Sequence, residues 1–136
     1  MSQANVEIVR RTLEAWQNDD FDTWFSAYDP NVEWRTVLER LVEGPESVYR
    51  GHDGVRRLWH FYRTGLDNFE IEAQEIRDMG DEAVVLLGRL RWRGPASGIE
   101  SESPLGMAIL LSEGKIIRSL DYLSHLEALE AAGLPD

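Results

Sequence analysis

The sequence predicts an α+β domain in which helices come first and pack on one face of a curved, mostly antiparallel sheet. Three observations carry this. Apolar residues recur at helical spacing in three segments of the first half and alternate from Phe69 to Leu123, so the dominant period changes between the halves. The alternating half is cut by turn signals, Gly80-Asp81 and Glu113-Gly114, that suit short hairpins. Helices gathered before strands are the pattern of α+β rather than of alternating α/β folds. Finally, 136 residues with no linker, repeat or low-complexity stretch read as a single domain, 1–136.

The elements follow in order. Residues 5–17 form a helix, with Val6, Val9, Leu13 and Trp16 on one stripe and Asn5 as cap. Residues 21–27 form a second, opened by Asp20 and ended by Asp29-Pro30. Residues 32–36 alternate as a short strand. Residues 37–49 have no period, contain Gly44-Pro45 and read as a long loop of functional interest. The segment Gly51-His52-Asp53-Gly54 starts a third helix with Val55, Leu58, Trp59 and Tyr62 on its apolar stripe. Strands are expected at 69–76, 83–93, 103–111 and 116–123. A short helix from His125 stops at Gly133.

Composition narrows the function. The chain has no cysteine, hence neither a disulfide framework nor a thiol nucleophile. Its net charge of −11 opposes binding to nucleic acid or to an anionic membrane surface, both of which need a basic patch. No apolar run reaches the ~18 residues of a membrane span. The polar N-terminus does not look like a signal peptide, so a cytoplasmic location is expected. His52, His60 and His125 have no carboxylate at ligand spacing, and Gly51-x-x-Gly54 is too short for a phosphate loop. No metal and no cofactor are expected.

An N-terminal helix pair, then Asp29-Pro30-x-Val32-x-Trp34, then Tyr49-Arg50-Gly51-His52-Asp53-Gly54-Val55, resembles the SnoaL-like branch of the nuclear-transport-factor-2-like superfamily. The Gly114-Lys115-Ile116 hairpin, Tyr122 and the ending Ala128-Leu129-Glu130-Ala131-Ala132-Gly133-Leu134 extend the resemblance over nearly the whole chain. It implies a cone: a curved antiparallel sheet, three N-terminal helices, a short C-terminal helix and a cavity between them. The superfamily includes polyketide cyclases, ketosteroid isomerases, epoxide hydrolases, dehydratases and proteins that only bind ligands, so the fold alone fixes no activity.

Alignment with the ketosteroid isomerases puts their tyrosine near Thr12, their base near Trp34 and their oxyanion acid near Gly106, and none is retained. The same register puts Ser119, Asp121 and Leu123 on the concave side, with the small Gly106, Ala108 and Leu110 facing the same way. Asp121, an acid late in an otherwise mostly apolar strand, is the candidate catalytic carboxylate. It is either a proton-transfer group in the cavity or a structural acid paired with arginine or capping the last helix. Arg89 is its candidate partner if it points inward, as in the Asp-Arg-Asp group of an epoxide hydrolase, though no second acid is apparent. Trp16, Tyr28, Trp34, Trp59, Tyr62 and Ser119 are candidate ligand contacts. The aromatic residues among them serve equally well as core.

Three functions follow: an enzyme on a small hydrophobic or polyketide-like molecule, a non-catalytic binding protein, or an interaction module with a vestigial cavity. A homodimer is expected, because Leu105, Met107 and Ile109 alternate with the presumed concave set and need cover.

Overall fold

The computed structural model describes residues 2–36, 47–64, 67–94 and 98–133. Helices α1 (Ser2–Gln17), α2 (Phe21–Ser26) and α3 (Gly51–Thr64) cover the concave face of one six-stranded sheet. Its strands are β1 (Tyr28–Arg35), β2 (Val48–Arg50), β3 (Asp67–Gly80), β4 (Ala83–Arg93), β5 (Glu100–Ser112) and β6 (Lys115–Tyr122), in the order β2-β1-β6-β5-β4-β3. Every pairing is antiparallel except β1 with β6. A short helix α4 (His125–Ala131) follows. No helix among the described residues is long and apolar enough to cross a membrane.

Local chemistry explains most boundaries. The Asp20 carboxylate accepts the Thr23 N–H at 3.2 Å and caps α2, an interaction that typically contributes about 1 kcal/mol. Asp29-Pro30 does not separate helix from strand as expected. β1 already starts at Tyr28, and the Asp29 carboxylate takes the Asn31 N–H at 2.8 Å in a kink where the register against β6 shifts. Proline is tolerated there because β2 pairs only with Glu33, Trp34 and Arg35, which leaves Pro30 on an open edge. β2 itself lies in the segment expected to be loop. A three-residue strand carries too little pattern to be read, and it forms by pairing with β1. Residues 37–46 of that loop lie outside the described residues, as do 95–97 of the loop after β4 and Leu134 at the C-terminus.

The faces of β5 are the reverse of those expected, and those of β4, which the sequence left open, are set with them. Leu105, Met107 and Ile109 point into the core, together with Val84, Leu86 and Leu90. Gly106 faces outward, where α4 docks so closely that a Cβ there would sit 2.5 Å from the Ala128 Cβ. Val85 and Leu87 share this second cluster with Ala128. The C-terminal helix, capped by Ser124 rather than by Asp121, therefore covers part of the convex face. The expected need for a partner over Leu105, Met107 and Ile109 disappears.

Candidate functional site

The space between the helices and the sheet holds a cavity of about 50 Å³. Val9, Thr12 and Leu13 of α1, Trp24 of α2, Tyr28 and Trp34 of β1, and Leu58 and Tyr62 of α3 supply one side. Leu86, Leu90, Leu105, Met107 and Ile109 form the sheet floor, with Ile116, Ser119 and Asp121 from β6. Apart from Asp121, no charged side chain lines it among the described residues. Volume of this kind holds a few waters, since one water needs roughly 10–15 Å³. Leu13, Trp16, Phe69 and Ile71 border both this cavity and a wider groove of about 680 Å³ between α1 and β3.

A bulge puts Asp121 here. In β5, Leu110 pairs with Arg118 and Leu111 with Ile116, so Ile117 of β6 is an extra residue. An extra residue inverts the alternation beyond it. Ile116 and Ser119 therefore both face the cavity, and Asp121 follows Ser119 at the next inward position. Their cross-strand partners are Ile109 and Met107, which also face inward.

Asp121 is only 8% exposed. Its Oδ2 accepts the Trp34 indole N–H at 2.9 Å, while Oδ1 is buried with no hydrogen-bond partner among the described residues. Burial pushes the carboxyl up to about 7, against the opposing hydrogen bonds of Trp34 and Thr36. Loss of water disfavours the charged form, and two neutral donors do not restore what water supplied. Thr36 also lies 3.4 Å from the Tyr62 hydroxyl. A threonine hydroxyl has one proton, so if Thr36 gives it to Asp121, Tyr62 is the donor to Thr36.

The remaining polar groups are few. Ser119 Oγ is buried with no partner among the described residues. Thr12 Oγ1 donates to the Ile8 carbonyl at 2.7 Å, back along its own helix. The Tyr28 hydroxyl is pushed well above its usual range by burial and then by the nearby Asp121 charge, against a hydrogen bond from Trp24. Trp24, Tyr28 and Trp34 form a compact aromatic group, with centroids 4.8 Å apart for Trp24–Tyr28, 5.6 Å for Tyr28–Trp34 and 6.2 Å for Trp24–Trp34.

Asp121, Ser119, Trp34, Tyr28, Tyr62 and Trp16 thus come together around one space. Two other candidates lie elsewhere. Arg89 is on the convex face, ion-paired with Glu102, beside Arg91 with Glu72 and Arg93 with Glu100. The anticipated Asp121–Arg89 pair is not formed, because β4 turns Leu86 and Leu90 inward and its alternating arginines outward. Trp59 packs outside the cavity, 5.2 Å from Trp16 and 4.9 Å from Trp24, beneath the Arg63 guanidinium at 4.3 Å. Leu123 does not line the cavity either, and Gly106 looks away from it.

Thr36 and Trp24 were not among the sequence candidates. Thr36 continues the alternation of Val32 and Trp34, which was a usable signal. Trp24 gave none, because a six-residue helix is too short to define a face. His52 and His125 donate from Nε2 to the backbone oxygens of Tyr28 and Gly88, each at 2.9 Å. Among the described residues no group of three or more histidines and carboxylates is placed to hold a metal ion.

Comparison with known proteins agrees with this architecture. Residues 9–119 match the SnoaL-like domain family. No curated protein matches the chain. An NTF2-like protein of unknown function from Burkholderia pseudomallei is similar in structure, with a TM-score of 0.79 and 21% identity over 96% of this chain and 98% of that one. TerC, co-crystallised with polyporic acid, gives 0.77 and 20% over 93% and 96%. A protein of ketosteroid-isomerase-like fold from Catenulispora acidiphila, in complex with trimethylamine, gives 0.73 and 14% over 95% and 94%. At such identities the likeness to solved structures is one of fold, whereas the family match spans most of the domain: this chain belongs to the SnoaL-like family.

Proposed function

We propose that this protein takes a small, mostly apolar molecule into the helix–sheet cavity and that Asp121 exchanges a proton with it, without a resident cofactor. The observation that carries the reading is the Asp121 Oδ1: a buried carboxylate oxygen with no partner among the described residues, in the wall of a mostly apolar cavity. Unsatisfied buried polar atoms are rare and need a reason. A carboxyl near 7 is also matched to proton transfer at neutral pH. Ser119 Oγ, two residues away, is the natural second contact for a polar ligand group. Small molecules held by two proteins of similar structure, polyporic acid and trimethylamine, support a ligand-binding use of the fold. Trp16, Tyr28, Trp34 and Tyr62 are the proposed apolar contacts. Arg89 has no part in this proposal, because it lies on the opposite face.

A second reading, binding without turnover, is favoured by the small volume and by the lack, among the described residues, of a second acid or a cationic partner in the lining. Pairing of two copies across the convex face belongs to the proposal on a narrower basis than the sequence suggested. It rests on half-buried Leu110 and Leu120, which alternation places on that face.

Acetone, with four heavy atoms and exchangeable α-protons, separates turnover from binding. Asp121 as carboxylate removes an α-deuteron from acetone-d6, the enolate oxygen accepts a hydrogen bond from Ser119, and the carbon regains a proton once the carboxyl has exchanged with water. NMR should show saturable exchange above the buffer rate, reduced at least ~100-fold in Asp121→Asn. Equal exchange by both proteins removes proton transfer and leaves the binding reading.

A further inference from the structure

From the lining of this cavity, and resting on the reading that it holds a small molecule against Asp121, we infer that its ligand class is a short-chain aliphatic amine, bound as the ammonium ion. The argument starts from which polar atoms are unsatisfied. Asp121 Oδ1 and Ser119 Oγ are both buried without partners among the described residues, and both can accept a hydrogen bond. They belong to residues at consecutive inward positions of β6, roughly 6–7 Å apart along the strand. That is the backbone spacing; a tetrahedral nitrogen giving two N–H···O bonds of about 2.9 Å joins oxygens about 4.7 Å apart, so the two side chains need only lean towards each other for one nitrogen to meet both. A primary ammonium brings three donors to one atom, which a hydroxyl or a ketone does not.

Charge decides the rest. Facing Asp121 from α1 are Val9, Thr12 and Leu13, from β3 Phe69 and Ile71, and from β4 and β5 only aliphatic side chains and Met107. The other titratable groups in the lining are Tyr28 of β1 and Tyr62 of α3. Among the described residues no arginine, lysine or histidine lines the cavity to neutralise an anion, so a carboxylate or phosphate ligand meets the Asp121 charge without compensation. A cation meets a carboxylate and the rings of Trp24, Tyr28 and Trp34, whose π systems favour positive charge. The net charge of −11 adds long-range attraction of the same sign. Size sets the limit. A cavity of about 50 Å³ admits roughly three to five non-hydrogen atoms, counted as waters are.

Ionic pairing makes binding depend on pH. Only the carboxylate form of Asp121 pairs with ammonium, and this carboxyl titrates near 7 in the empty cavity. An alkylammonium keeps its proton through this range, as the lysine side chain does. Affinity should therefore rise about 30-fold between pH 5.5 and pH 8.5, as the ionised fraction rises from about 3% to about 97%.

Three probes of four heavy atoms test this: isopropylammonium, neutral isopropanol and acetate. The readout is the Trp34 indole N–H resonance, which reports directly on Asp121 Oδ2. Isopropylammonium should shift it saturably at pH 8.5, about 30-fold more weakly at pH 5.5, and acetate should leave it unchanged. Asp121→Asn should weaken the amine at least 10-fold and abolish the pH dependence, and Ser119→Ala should weaken it several-fold with the pH dependence intact. Saturation by isopropanol at least as strong as by isopropylammonium, or amine binding that does not vary with pH, overturns the amine assignment and leaves the small-molecule reading standing. If none of the three shifts the resonance in a folded protein, the cavity is not a small-molecule site and both readings fall.

Discussion

Burying Asp121 makes the protein less stable at neutral pH than an isosteric neutral chain. An aspartate in an unfolded chain titrates near 3.9, whereas this carboxyl is held near 7. The folded state therefore binds the proton more tightly than the unfolded state. Stability from this group is fully present below about pH 3.9, is lost as pH rises towards 7, and is level above that. The difference in proton affinity corresponds to about 4 kcal/mol at pH 8, of which about 2.5 kcal/mol develops between pH 5 and pH 8. In Asp121→Asn the charge is gone and the side-chain carbonyl still accepts the Trp34 indole N–H. The variant should match the parent below about pH 3.9 and exceed it increasingly from there to about pH 7, with a Tm difference of about 10 °C at pH 8. Urea melts of both proteins at unit steps of pH measure this, because every other titrating group cancels in the difference. A difference that stays flat from pH 5 to pH 8 would refute the reasoning, since it would mean that Asp121 ionises as it does in water.

Two further predictions test the faces of the sheet. Gly106→Ala places a Cβ 2.5 Å from the Ala128 Cβ and 3.0 Å from the Ser124 carbonyl oxygen, so α4 must shift. The expected cost is about 1–3 kcal/mol, and faster amide exchange confined to α4 and its neighbours should accompany it. Arg89→Ala removes an ion pair whose members are 33% and 51% exposed. It should cost no more than about 1 kcal/mol and leave the Asp121 titration unchanged, and a displaced titration would show that Arg89 reaches the cavity after all.

How much of this was legible in the sequence depends on which residues carry it. The period change near residue 65, the Asp20 cap, the Glu113-Gly114 turn and the bounds of β4 are local signals. The structure agrees because nothing tertiary competes with them. Both turn residues adopt positive φ, 51° and 79°, as a tight hairpin between twisted strands requires. The inward set of a strand is another matter. β4 and β5 are apolar on both faces, with Val85 and Leu87 under α4 and Leu86 and Leu90 over the cavity. Alternation of apolar with apolar marks no inside, and only the docking of the last helix decides between the two choices. The same ambiguity hid Arg89: a guanidinium beside a leucine indicates a face only once the neighbouring strand is placed.

Asp121 shows why one residue of irregularity matters more than the rest of the pattern. Strict alternation from Ile116, the first inward residue of β6, would send Arg118 into the cavity and Ser119 and Asp121 out to solvent. Burying Arg118 there, without a carboxylate, would be far less favourable than burying an acid that can take up a proton near neutral pH. The extra residue at Ile117 reverses this. Arg118 turns outward towards Glu33, 3.8 Å away, and the acid turns inward. One bulge thus both avoids a buried cation and brings to the cavity the one carboxyl that lines it among the described residues. The stability deficit of an acid held near 7 is then a property of the site: in the parent chain the unpartnered Oδ1 keeps that deficit in place, and a ligand donating to it would relieve it.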